Sequence, residues 1–113
     1  PMRNDRLLHA LGLCAKAGRL ITGTPMICEV MRTGRPRVYL VAAASDNAEH
    51  TAKRLRDRTS FYGVPLTLTA FDGGALSDAV GKSGRISAVA VTDENLARLV
   101  EGAIRAAQEP NLQ

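Results

Sequence analysis

Gly81-Lys82-Ser83 is the tripeptide with the most chemistry in it, because glycine, lysine and a hydroxyl in that order are what a phosphate-binding loop uses. Such a loop also needs a glycine five positions earlier and a strand leading in. Here position 76 is Leu, a helical pattern leads in and an apolar strand pattern follows, so the chain is not read as a nucleotide hydrolase. What remains is a flexible "GKSGR" turn carrying Lys82, Ser83 and Arg85, which alone reads as a solvated loop. His9 and His50 have no acid at triad or metal-ligand spacing, and no serine stands in a GxSxG context. Cys14 and Cys28 form no CxxC pair and read as reduced, partly buried thiols. No catalytic residue, metal site, cofactor or small-molecule substrate is expected.

Charge is more telling. Residues 1–58 hold 11 Lys/Arg against 5 Asp/Glu, whereas residues 59–113 hold 4 against 6, so a basic half carries the net +4 of the chain. A basic half suits a polyanionic partner, since each neutralised phosphate releases counterions. The run "KRLRDR" from Lys53 to Arg58 spreads around more than one side of a helix and reads as a solvated face. With four aromatics in all, two of them in apolar strand patterns, the chain is not expected to carry a stacking platform of the kind used for single strands. RNA, if bound, should be held through phosphates and shape.

The second candidate stretch is "GTPMICEV", Gly23 to Val30. Thr24 suits an N-cap, Pro25 the first helical position, and Met26, Ile27, Val30 and Met31 recur at helical spacing. Met26 in a first turn reads either as part of an ordinary core face or as part of a surface that holds something.

These segments need a scaffold. At 113 residues the chain is expected to be one domain over residues 1–113, with no apolar run near the roughly 20 residues that span a bilayer. No charged-then-apolar leader is seen, so a cytoplasmic protein is expected. The pattern predicts a helix from about Asn4 or Asp5 to Ala17, with Gly12 permitting a close helix contact. A short strand at "RLIT" precedes the helix from Pro25 to Thr33. "VYLVAAA" and "ISAVAVT" read as strands covered on both faces. A helix capped by Ser45 or Asp46 turns Ala48, Ala52, Leu55 and Thr59 inward. "VPLTLTAF" alternates Val64, Leu66, Leu68 and Ala70 against Thr67 and Thr69. A short helix follows "DGG". A last helix, capped by Asp93 and ended by Pro110, carries Leu96, Leu99, Val100, Ala103, Ile104 and Ala107 as its apolar stripe. Helices alternating with strands predict a three-layer α/β/α sandwich on a small four-stranded mixed sheet.

Four segments, taken in order, carry a resemblance: the stretch from "LGLCAKAGRLITGTP" to "DNAEHTAKRL", then "YGVPL", "LSDAVGK" and "RISAVAVTDENLARLV". From Leu7 to Val100 the chain resembles the ribosomal protein L-seven-Ae family of kink-turn RNA-binding proteins, most of all its small stand-alone bacterial members. The resemblance implies the same sandwich and a non-catalytic role on structured RNA, ribosomal in type, in a ribonucleoprotein. It implies RNA contacts at Arg19, Gly23, Thr24, Pro25, Met26, Glu29, Lys82, Ser83 and Arg85, with Lys16 and Arg32 as peripheral phosphate partners. It also exposes a departure. The family reads tandem G·A pairs with a Gly-x-Asn-Glu-x-x-Lys pattern, and here Pro25, Met26 and Glu29 stand at the Asn, Glu and Lys positions. Two hydrogen-bonding side chains are gone and one charge is reversed. The helix-start N–H groups of Met26 and Ile27 remain as phosphate donors. The alternative is a protein-interaction module or homodimer that uses the Pro25–Met26–Ile27 edge on the same fold.

Overall fold

The computed structural model describes residues 2–108. Five helices and four strands follow in the order α1 (Met2–Lys16), β1 (Leu20–Thr22), α2 (Thr24–Thr33), β2 (Leu40–Ala43), α3 (Glu49–Tyr62), β3 (Leu66–Leu68), α4 (Gly73–Ala79), β4 (Ala88–Val91) and α5 (Glu94–Gln108). The sheet order is β1-β4-β2-β3, with β4 antiparallel to both neighbours and β2 parallel to β3.

The two central strands are apolar throughout because both of their faces are covered. Leu40, Ala42, Val89 and Val91 join Leu11, Cys14, Leu76 and Val100 in a core under α1, α4 and α5. The alternate residues Val41, Ala43, Ala88 and Ala90 join Ile27, Val30, Met31 and Leu55 in a second core under α2 and α3. This is the predicted three-layer sandwich. Leu55 is fully buried, so truncating it to alanine should cost about 2–5 kcal/mol. Gly12 does permit a close contact: a Cβ there would lie 2.9 Å from the Ala79 carbonyl oxygen of α4.

Helix ends follow the sequence where the cap is local. Gly34 and Gly63 adopt left-handed conformations after α2 and α3, and the Asp72 and Asp93 carboxylates accept from the N–H groups of Ala75 and Leu96 at 2.8 and 2.9 Å. Five expectations are corrected. Gly23 occupies the N-cap of α2 and Ala48 that of α3, neither with a side-chain cap, so Thr24 and Asp46 are released for other partners. Ala48, expected to face inward, is exposed. At the sheet edge β3 does not keep its alternation: Leu68 is 65% exposed, while Thr69 is buried and donates its hydroxyl to the Ala43 carbonyl at 2.8 Å. On α5, Leu99 is 44% exposed and Ala97 takes the buried place. Pro110 lies outside the described residues.

Strand direction decides what meets. β1, β2 and β3 run one way and β4 the other, so the loops β1–α2, β2–α3, β3–α4 and α4–β4 gather at a single edge of the sheet.

Candidate nucleic-acid interface

The edge brings the two sequence candidates, "GTPMICEV" and "GKSGR", onto one surface. Gly23 donates its N–H to the Ala88 carbonyl at 3.0 Å, where β4 begins. Next to it the Thr24 N–H donates to Ser87 Oγ at 3.2 Å, and the Thr24 and Ser87 hydroxyls share a 2.7 Å hydrogen bond. Thr24 is only 4% exposed, so its side chain serves as a tether between the start of α2 and the end of the 81–87 loop. Gly23 sits at φ 91°, where a side chain would be strained, although a Cβ would meet nothing within 4 Å. The space beside its Cα is therefore clear of protein atoms.

The α2 start holds fewer anion donors than its sequence suggests. The Thr24 N–H goes to Ser87, Pro25 has none, and the Ile27 N–H goes to the Gly23 carbonyl at 3.0 Å. Of the two donors expected, the Met26 N–H alone is unengaged by the described residues. Around it Pro25 and Met26 are exposed, Met26 by 55%. One turn on, Glu29 is gripped by Arg32 through two hydrogen bonds, Nη2 at 2.5 Å and Nε at 3.1 Å. These hold the Glu29 carboxyl below its ordinary range and neutralise the reversed charge. Arg32 is correspondingly committed to Glu29.

In the 81–87 loop, Gly81 and Gly84 adopt left-handed conformations on either side of exposed Lys82 and Ser83. Lys82 makes no ion pair with the described residues. Arg85 is held. Its Nη2 lies 2.7 Å from Asp46 Oδ1 and 2.9 Å from Asn47 Oδ1, and Asp46 also accepts the Gly73 N–H at 2.9 Å. The Arg85 hydrogen bond, then that of Gly73, keeps the Asp46 carboxyl below its usual range. Asn47 adds a bond from Nδ2 to the Ser87 carbonyl at 2.9 Å. Gly73 is required by space, since a Cβ would fall 2.4 Å from Arg85 Cγ and 2.6 Å from the Ile86 carbonyl.

Arg19 and Lys16 are not part of this edge. The Arg19 carbonyl accepts from Thr92 at the far end of β4, with the whole of β1 between it and Gly23. Lys16 lines a groove between α1 and α4 with His9, Leu13 and Asp78. Conversely, Asp46, Asn47 and Ser87 hold this edge together, although the sequence offered Asp46 only as a helix cap and gave Asn47 and Ser87 no role. The "SDN" after β2 is the only trace of Asp46 and Asn47, and it equally suits a helix cap, while Ser87 lies inside an apolar strand pattern. Among the described residues no group of three or more His, Cys, Asp or Glu could hold a metal. Both cysteines are free and buried, and burial pushes the Cys14 thiol up to about 11. No described helix is long and apolar enough to cross a membrane.

No family model matches the chain. It is 28% identical over 102 residues to the RNA-binding protein YlxQ of Enterococcus faecium, covering 87% of this chain and 94% of that one. It is 31% identical over 87 residues to the RNA-binding protein YlxQ of Bacillus subtilis, covering 77% and 83%. Among solved structures, a Bacillus halodurans protein of unknown function superposes with a TM-score of 0.79 at 31% identity, over 88% of this chain and 97% of that one. The Giardia lamblia 15.5 kD RNA-binding protein superposes with a TM-score of 0.72 over 93% and 87%. At 18% identity that likeness establishes the fold alone.

Proposed function

This chain belongs to the family of the RNA-binding protein YlxQ, and from that premise we propose that it is a non-catalytic protein that grips a sharply bent internal loop of structured RNA, of the kink-turn type found in ribosomal RNA. The observation that carries the reading is the Thr24–Ser87 tether. It makes the α2 start and the 81–87 loop one surface, and these are the two RNA-contacting segments of the L-seven-Ae family that the chain resembles.

The manner of recognition differs from that family's pattern. Pro25 and Met26 offer no side-chain hydrogen bonds to guanine edges, and Glu29 is closed by Arg32. Gly23 leaves room for close approach of the RNA backbone, the Met26 N–H donates to one phosphate, and Lys82 and Ser83 reach a second strand. Arg85 contributes through the field of a guanidinium already placed by Asp46 and Asn47. Binding then rests on shape and phosphates, with the G·A pairs acting by building the bend.

A titration against a kink-turn RNA, and against the same RNA with its G·A pairs replaced by Watson–Crick pairs, tests this reading. The bent RNA should bind at least about tenfold tighter, and affinity should fall steeply between roughly 50 and 200 mM salt. Equal binding to both RNAs, or indifference to salt, refutes it. The exposed Pro25–Met26 edge supports a second reading, a homodimer or protein-contact surface. A stable dimer in size-exclusion chromatography that buries Met26 and ignores RNA would favour that one.

A further inference from the structure

The basic run on α3 is the strongest feature that the sheet-edge site leaves unused. Two of its cations are neutralised within the helix, Lys53 by Asp57 at 2.6 Å and Arg56 by Glu49 at 3.1 Å. Arg54 and Arg58 make no ion pair with the described residues. They stand four residues apart, with His50 four residues before and Phe61 three residues after, so the four form one stripe along the helix. Shallow grooves confirm the stripe: one is lined by His50, Lys53, Arg54, Asp57 and Arg58, and the next by Asp57, Arg58, Phe61 and Tyr62. Phe61 is 79% exposed, with its ring held edge-on to Tyr62 at a centroid distance of 4.9 Å. Inward-facing Leu55 and Thr59 fix the helix so that the stripe faces outward.

We infer that this stripe of α3 binds an unpaired RNA segment flanking the structured loop, with Arg54 and Arg58 on successive phosphates and Phe61 stacked under a base. The inference rests on the RNA-binding reading above. Charge selects a polyanion, and the exposed ring selects one with flat faces to stack, which favours single-stranded RNA over an acidic protein. The guanidinium groups spring from points about 6 Å apart along the axis, and His50 to Phe61 spans about 16 Å. Position completes the case. α3 starts from the β2–α3 loop, whose Asp46 and Asn47 hold Arg85 and Ser87, so the stripe begins beside the sheet-edge site. A strand leaving the gripped loop meets it directly.

The test uses the whole chain and a fluorescent kink-turn RNA, with and without a tail of about ten uridines. At roughly 50 mM salt the tail should tighten binding about tenfold, and Arg54→Ala/Arg58→Ala should abolish that gain. The salt slope on tailed RNA should drop by about 1.4, two single-strand phosphate contacts' worth. Phe61→Ala should remove about fivefold of the gain without altering the slope. Unchanged affinity for untailed RNA in both variants shows that the fold and the edge site are intact. A tail that gives no gain, or a gain that survives the double variant, overturns this inference and leaves the proposed function standing. Binding only to tailed RNA, lost in the double variant, supports the stripe and overturns the edge site. Binding to neither RNA overturns both. Displacement of the tail by an oligoglutamate of equal charge would assign the stripe to an acidic protein partner and overturn it too.

Discussion

Removing the tether between α2 and the 81–87 loop gives a prediction whose parts can be separated. Thr24→Val keeps the shape of a 4%-exposed side chain and deletes the 2.7 Å hydroxyl pair, while Ser87 Oγ still accepts the Thr24 N–H. That loss should cost about 1 kcal/mol. Ser87→Ala removes both bonds and strands the Thr24 N–H and hydroxyl away from water, so about 2 kcal/mol is expected. Since the hydroxyl bond is counted in both variants, the double variant should cost about 2 rather than 3 kcal/mol. The coupling is then about 1 kcal/mol. Urea melts followed by circular dichroism give these values, and each kcal/mol corresponds to a fall in Tm of roughly 4 °C in a domain of this size. A tether worth 1 kcal/mol can change RNA affinity by at most about fivefold, and without altering the salt slope, because no phosphate contact is lost. Costs that add to within about 0.3 kcal/mol would refute the reasoning, as the two hydroxyls would then act independently.

Two further outcomes follow from charges at the same edge. Glu29→Lys breaks an exposed pair and frees Arg32, so stability should hardly move. Affinity for kink-turn RNA should rise with a steeper salt slope, and fluorescence anisotropy that shows no gain would place the RNA elsewhere. For Asp46→Asn the expectation concerns pH. A carboxyl whose folded pKa is depressed by Arg85 stabilises the protein fully above its unfolded value near 3.9, and that stabilisation is lost as pH falls through the lower folded value. The Tm difference between the parent and Asp46→Asn should hold above about pH 5 and shrink below about pH 4. Glu29 and Asp57 are depressed in both proteins and cancel in the comparison. A difference that persists unchanged to pH 2, roughly, contradicts the Asp46–Arg85 link.

What the sequence made legible was whatever is decided locally or by burial on two sides. β2 and β4 announced themselves because central strands admit no polar face, and α2 and α3 stop at Gly34 and Gly63, whose positive φ suits glycine. The site was legible as two segments, with its bonds hidden. Thr24 looks like a cap from its neighbours, yet its partner Ser87 is 63 residues away. Asn47 meets Ser87 across 40 residues and Asp46 meets Arg85 across 39. Such pairs leave no periodic trace, and each draws a capping residue away from its helix. Arg19 is separated from Gly23 for the opposite reason: the two are near in sequence, but an extended strand puts them at opposite ends of the sheet. The β3 alternation misleads because an edge strand need not bury its leucines, whereas the Thr69 hydroxyl has the Ala43 carbonyl to satisfy.

The proposed function puts structured RNA where the α2 start meets the 81–87 loop. Amide chemical shifts of the labelled protein, followed as an untailed kink-turn RNA is added, test it most directly. The account predicts the largest changes at Gly23, Met26, Ile27 and across Gly81 to Ser87, with the α1 and α5 face silent. Changes centred on the α1–α4 groove around His9 and Lys16, with Gly23 and Lys82 unmoved, would contradict it.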